Sequence, residues 1–258
     1  INILINIFYN VAVNAAVGVA NQVRNAVFGF ITSFQTAFNP QIVKLYAAKD
    51  TEQLLALIYR SSKFSYYLLF IISFPILLFC KEILSIWLVN VPDYAVVFTQ
   101  LVIIASFTEA LSAPLWTAIG ATGKVQKYQI LVSLIVFLDV PLVYVAFKLG
   151  MHPTTAFVIT LIIGVLAYLY RLFYIRKFVP YHISQYIKKV VLPCCVVTVL
   201  SIPVPYILYG YGTSTINTIL LAIGTTAIST VITLFIGLDK SEKKIVKSIF
   251  NKMLKKIS

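Results

Sequence analysis

Residues 14–46 read NAAVGVANQVRNAVFGFITSFQTAFNPQIVKLY, and the spacing of their polar members decides how the rest of the chain is read. Wound as an α-helix at about 100° per residue, the stretch puts Asn14, Gly18, Asn21, Asn25, Thr32, Thr36 and Asn39 within roughly 40° of one line, with Gln22, Arg24 and Gln35 on its flanks. The opposite face is apolar: Val19, Ala20, Val23, Val27, Phe30, Ile31, Phe34 and Phe38. An unpaired amide in hydrocarbon costs on the order of 1 kcal/mol or more, so a membrane helix with a continuous amide stripe needs a wet cavity or a polar partner. The pattern predicts the wall of a substrate path through a membrane. Its polar groups are Asn14, Asn21, Gln22, Arg24, Asn25, Thr32, Gln35 and Asn39.

The surrounding composition requires a membrane. Hydrophobic residues make up 60% of the 258 positions and charged residues only 11%, with a mean hydropathy of +0.93, far outside the range of soluble domains. The fold class expected is an all-α polytopic membrane protein. A net charge of +13 would point to nucleic acid in a soluble chain, but here the basic residues fall in the gaps between apolar spans, and no nucleic-acid partner is expected. The opening residues INILINIF read as the interior of an apolar helix with no initiator Met, basic leader or cleavage site, so the expectation is a fragment or a trimmed chain. Cys80, Cys194 and Cys195 lie at or inside apolar segments and read as small buried apolar residues; the neighbours Cys194 and Cys195 are poorly placed to bridge each other.

After a partial helix over 1–10 and the Asn14 helix, an apolar span runs from about 54 to 80 and contains Pro75. KEILSIWLVNVPDY (81–94) is too short to cross and carries Trp87 and Tyr94, which predicts an interfacial segment. Further spans follow at about 95–121, 128–148, 154–175, 189–209 and 214–237, giving seven complete crossings plus the leading partial one. Lys44, Lys49, Arg60, Lys63, Lys124, Lys127, Arg171, Arg176, Lys177, Lys188, Lys189 and the seven lysines after 239 all fall on one side under this parity. That is 18 of the 21 basic residues, against Lys81 and Lys148 on the other side and Arg24 within the membrane. The positive-inside rule then makes the C-terminus cytoplasmic. The tail carries an apolar stripe at Ile245, Val246, Ile249, Phe250, Met253, Leu254 and Ile257 among lysines, the pattern of an interfacial helix on anionic lipid.

Arg24, Glu109 and Asp139 are the ionisable residues left inside spans, and intramembrane charge is costly unless it faces water or a partner. Two readings stand: a structural pair between Arg24 and Glu109 or Asp139, or a substrate, proton or ion-coupling role for at least one of them. Pro75, Pro114, Pro141, Pro193 and Pro203 lie in or near spans and predict bends. ATGKVQ (121–126) resembles the end of a phosphate loop, but Val125 stands where the motif needs Ser or Thr and the glycine spacing is wrong. His152 and His182 have no metal-ligand spacing, and no nucleophile lies in a recognisable constellation; no cofactor, metal or enzyme chemistry is expected.

At FYNVAVNAAVGVANQV, FNPQIVKLYAAKD, SSKFSYYLL, WLVNVPDYAVVF and ATGKVQKYQI, taken in order, the chain resembles bacterial polysaccharide flippases. These are the O-antigen and capsule members of the multidrug/oligosaccharidyl-lipid/polysaccharide exporter superfamily, a MATE-like fold. The resemblance implies two six-helix lobes around a central cavity and movement of an undecaprenyl-pyrophosphate-linked oligosaccharide from the cytoplasmic to the outer leaflet of the bacterial inner membrane. On that basis 1–177 corresponds to the C-terminal lobe with its first helix truncated, 178–237 to two additional transmembrane helices, and 238–258 to a basic amphipathic cytoplasmic tail. The partners implied are the lipid-linked oligosaccharide, membrane lipids and an N-terminal lobe supplying the other cavity wall. Amides suit sugar hydroxyls, and Arg24 suits a phosphate. Two alternatives are a cation-coupled multidrug antiporter of the same superfamily and a membrane glycosyltransferase or polymerase of the same pathway. The amide stripe favours sugar over drug, and the short loops disfavour the enzyme.

Overall fold

A computed structural model of the chain describes residues 1–204 and 215–257, with side chains over 1–204 and 217–248. Helix accounts for 86% of it, and no strand occurs among the described residues, so the chain is an all-α polytopic membrane protein. The helix α1 (Asn2–Phe8) stops before Asn10, whose extended backbone and side-chain oxygen, accepting the Val13 N–H at 2.9 Å, start α2 (Val11–Ala47). Lys49 takes a left-handed turn and Asp50 caps α3 (Thr51–Leu78) by accepting the Gln53 N–H at 3.1 Å. The segment predicted to lie in the interface forms the short α4 (Cys80–Trp87), with Trp87 exposed, followed by α5 (Ala95–Ala121).

The span expected over 128–148 is two helices, α6 (Gln126–Phe137) and α7 (Asp139–Lys148). Pro141 explains the break: its ring crowds the carbonyl four residues back, at Phe137, and it is tolerated in the first turn of a new helix. After α8 (Thr154–Tyr174) comes α9 (Ile183–Ser201), which begins six residues earlier than the expected span. A π-turn at Ile187–Val191 sits inside α9 just before Pro193, whose missing N–H interrupts the α-helical ladder there. Residues 205–209 of that span and the first residue of the next lie outside the described residues. The final elements are α10 (Thr215–Ile232), which ends in a second π-turn at Thr233–Gly237, and α11 (Lys240–Ile257).

Among the described residues, six helical segments are long and apolar enough to cross a membrane: Thr51–Leu78, Ala95–Ala121, Gln126–Lys148, Thr154–Lys177, Ile183–Ser201 and Asn217–Gly237. The seventh expected crossing is α2, whose 37 residues extend over about 55 Å, ample for a hydrocarbon core of about 30 Å. It stays outside that apolar set because of its amide stripe. In the bundle, α5 packs along α2, α3 and α8, while α9 and α10 pack on α3.

Two apolar clusters mark the two ends. One gathers Ile42, Leu54, Ile119, Tyr128, Ile175, Tyr186 and Leu238, next to the segments rich in Lys and Arg. The other gathers Val13, Cys80, Leu84, Ala95, Phe147 and Phe157, beside Lys81 and Lys148. The first cluster thus borders basic loops, and the second borders loops with few Lys or Arg. Cys80 and Cys194 are buried and free, as expected; Cys195 is exposed, because the next residue on a helix turns through about 100° and cannot share the same buried face.

The junction before α11 is a capping box. Asp239 accepts the N–H groups of Ser241 and Glu242, each at 2.8 Å, and Glu242 reaches back to the Asp239 N–H at 2.8 Å. Burial pushes the Asp239 carboxyl up, but these hydrogen bonds and the nearby Lys63 charge outweigh it and leave the group below its ordinary range. Its contribution to stability is present at neutral pH and is lost as the pH falls through the folded-state value. Glu242 also pairs with Lys63 of α3 at 2.5 Å, both side chains at least 95% buried. Beside this pair, Tyr67 donates to the Gly237 carbonyl at 2.9 Å, and a Cβ at 237 would lie 2.7 Å from the Tyr67 hydroxyl oxygen. Of the predicted tail stripe, Val246 packs on the first cluster; side chains from Ile249 onward lie outside the described residues.

Candidate functional site

Between α2, α5 and α8 lies a cavity of about 620 Å³. From α2 it takes Asn21, Arg24, Phe28, Thr32, Gln35, Thr36 and Asn39. This arc is offset by roughly 30° from the centre of the amide stripe, towards Arg24. Five of the eight polar residues expected on the path therefore line the cavity: Asn21, Arg24, Thr32, Gln35 and Asn39. Gln22 and Asn25 are turned to the exposed side of α2, and Asn14 lies beyond the cavity, half-buried, with its side-chain oxygen unpartnered.

The polar groups are not equally free. Gln35 is buried, and its amide donates to Ser65 Oγ at 3.1 Å and to the Ala110 carbonyl at 3.3 Å. Pro114, four residues on, has no N–H to give that carbonyl, so Gln35 fills the gap that a helix proline leaves. Asn39 accepts from Thr117 Oγ1 at 2.9 Å. Thr32 and Thr36 bond back to carbonyls of their own helix, at Phe28 and Ser33, yet keep oxygen lone pairs towards the cavity.

Arg24 pairs with Glu109 across the cavity, from α2 to α5, and its guanidinium also lies 5.2 Å from the centre of the Phe28 ring. Of the two partners the sequence offered for a structural pair with Arg24, Glu109 is the one in contact. The two side chains remain 30% and 48% exposed, so the pair lies in an open cavity rather than a closed core. Asp139 does not reach Arg24. It accepts from Thr160 Oγ1 at 3.1 and 3.2 Å, and Thr160 lines the cavity.

Sequence reasoning missed the α8 wall. Thr160, Gly164, Ala167 and Arg171 follow helical spacing down one face of a helix otherwise rich in Leu, Ile and Tyr, and all four line the cavity. Gly164 faces Thr108 of α5, and a Cβ there would lie in ordinary contact, 3.5 Å from Thr108 Oγ1. Arg171 was assigned to the basic end of the span, but its Nη1 donates to Ser112 Oγ at 2.6 Å inside the cavity. Among the described residues no carboxylate lies within ion-pair distance of it, and its Nε is buried without a partner. With Arg24 cancelled by Glu109, Arg171 leaves the lining with one net positive charge.

A wet cavity has a direct test. In a background lacking native cysteines, cysteine at Asn21, Thr32 or Thr36 is expected to react with a small aqueous thiol reagent at least about tenfold faster than cysteine at the buried Ala20, Val27 or Ile31. Equal protection of both sets would make the cavity dry.

The fold and this cavity define a multi-pass membrane protein with a polar, positively charged chamber between three helices. No protein-family model, curated protein or solved structure matches the chain.

Proposed function

We propose that the protein moves a lipid-linked oligosaccharide, of the undecaprenyl-pyrophosphate type, from the cytoplasmic to the outer leaflet of the bacterial inner membrane for surface polysaccharide synthesis. The C-terminus is cytoplasmic in this reading, as the gathering of Lys and Arg at one end supports. The observation that carries the proposal is the uncancelled Arg171 beside a lining of amides and hydroxyls. A guanidinium offers paired donors to a phosphate, while Asn21, Thr32, Thr36 and Asn39 supply the donors and acceptors that sugar hydroxyls need. Trp116, 54% exposed at the cavity, adds an aromatic face with a polar edge. The action is transport without covalent chemistry, and Glu109, held by Arg24, is occupied as a strut rather than poised for a coupling ion.

The test is a flipping assay with the full-length protein in proteoliposomes. A labelled lipid-linked oligosaccharide in the inner leaflet is expected to become accessible to an external glycosidase only when the protein is present. Gradient-driven efflux of lipophilic cations without movement of the oligosaccharide would replace this reading with the antiporter.

A further inference from the structure

A second cleft, of about 520 Å³, opens where α3, α9 and the α10–α11 junction meet, and it shares no residue with the first cavity. Both π-turns border it. Ile187–Val191 supplies Lys188 and Lys189, and Thr233–Gly237 supplies Ile236 and Gly237. A π-turn widens a helix by one residue at a cost in hydrogen-bond geometry, and such turns concentrate at functional sites. The first follows from Pro193, and the two together bring Lys188, Lys189 and Gly237 to the rim of one cleft.

The charges around it are unbalanced. Arg60, Lys63, Lys188 and Lys189 face Asp239 and Glu242, but both carboxylates are already engaged. Glu242 is held by Lys63 and by the Asp239 N–H, and Asp239 by the N–H groups of the following turn. Arg60 finds only Ser241 Oγ, at 3.2 Å, and Lys189 lies over the Tyr59 ring at 5.7 Å. Among the described residues, none of Arg60, Lys188 and Lys189 has a carboxylate within ion-pair distance. Four cations against two carboxylates leave the cleft with two net positive charges, and an anion among Arg60, Lys188 and Lys189 relieves their mutual repulsion. The cleft also lies where the apolar part of α10 ends, at Gly237, beside the first turns of α9, which is the depth at which membrane phosphates sit.

We propose that this cleft binds a phosphate group, with Arg60 as the forked donor and Lys188 and Lys189 as point charges. The phosphate is that of an anionic phospholipid headgroup or of a soluble phosphate compound. The site is independent of the transport reading, since no residue is shared between the two.

The experiment uses the full chain in lipid nanodiscs of phosphatidylcholine with one fifth phosphatidylglycerol, followed by native mass spectrometry to count retained phosphatidylglycerol. The same protein in detergent is titrated with inorganic phosphate and its thermal unfolding followed. Retained phosphatidylglycerol is the expected result, weakened about thirtyfold in K188Q/K189Q and preserved in K188R/K189R. A control pair on the exposed side of α11, K244Q/K247Q, is expected to keep it. Stabilisation by inorganic phosphate that is absent in K188Q/K189Q, without retained lipid, supports the site with a soluble source. Equal loss in K244Q/K247Q would reduce the effect to general surface charge and overturn the site. So would unchanged binding in K188Q/K189Q, or no binding of either probe to the unaltered protein.

Discussion

Glu242→Gln is expected to destabilise the protein by about 3 to 5 kcal/mol, read as a lowered unfolding midpoint in detergent micelles, because it leaves the Lys63 ammonium buried without its counter-charge. The ammonium is 95% shielded and its only carboxylate among the described residues is Glu242, at 2.5 Å. Glutamine keeps the shape and an acceptor oxygen but not the charge. The discriminating variant removes both charges together. Lys63→Met with Glu242→Met is expected to return stability to within about 1 kcal/mol of the unaltered protein or above it, since apolar replacement of a buried pair is often neutral or stabilising. The double variant also gives up the return bond from Glu242 to the Asp239 N–H, which limits the recovery. A Glu242→Gln protein that unfolds with the unaltered one would show that water reaches Lys63 and that the pair does not hold α11 to α3.

Arg171→Gln is expected to cut oligosaccharide flipping about 10- to 100-fold with folding intact, the size of a lost charge-assisted hydrogen bond. The side chain is only partly buried and glutamine is neutral, so the bundle is not asked to bury a new charge. Arg171→Lys should retain part of the rate, because a point charge attracts phosphate without the paired geometry. Arg24 behaves differently because Glu109 is its partner. Arg24→Gln leaves Glu109 uncancelled and takes the lining from one net positive charge to none, so transport falls; Arg24→Gln with Glu109→Gln restores the net charge and should restore much of the transport. Normal flipping by Arg171→Gln would remove the main support for a phosphate in this cavity.

The elements that were legible in the sequence are those whose signal is local. α5 begins and ends where hydropathy put it, at Ala95–Ala121, and α2 follows from a pattern repeated over about seven turns. The capping box before α11 went unread, although DKSE (239–242) carries its acceptor-x-x-Glu spacing. What was not legible depends on which way a residue at a helix end points. Lys63 and Arg171 both read as basic residues of flanking segments. One is instead buried against a helix more than 170 residues later, and the other reaches back into the cavity. A periodic clue existed for Arg171, in the Thr160, Gly164, Ala167 series on an otherwise bulky helix. None existed for Lys63, since only the docking of α11 creates its environment. The amide stripe located the cavity wall but not its centre, because a face some 40° wide leaves open which edge the neighbouring helices cover.

Tyr67 and Gly237 divide a single small volume between two distant parts of the chain. Even phenylalanine at 67 would leave the ring carbon that stands 2.8 Å from a Cβ at 237, and a Val197 methyl carbon stands 3.0 Å from it, so a larger residue at 237 requires both neighbours to give way. The three positions are thus heritable as a set: alanine at 237 is expected to travel with smaller side chains at 67 and 197, and a single step between the two combinations passes through a crowded or a hollow intermediate.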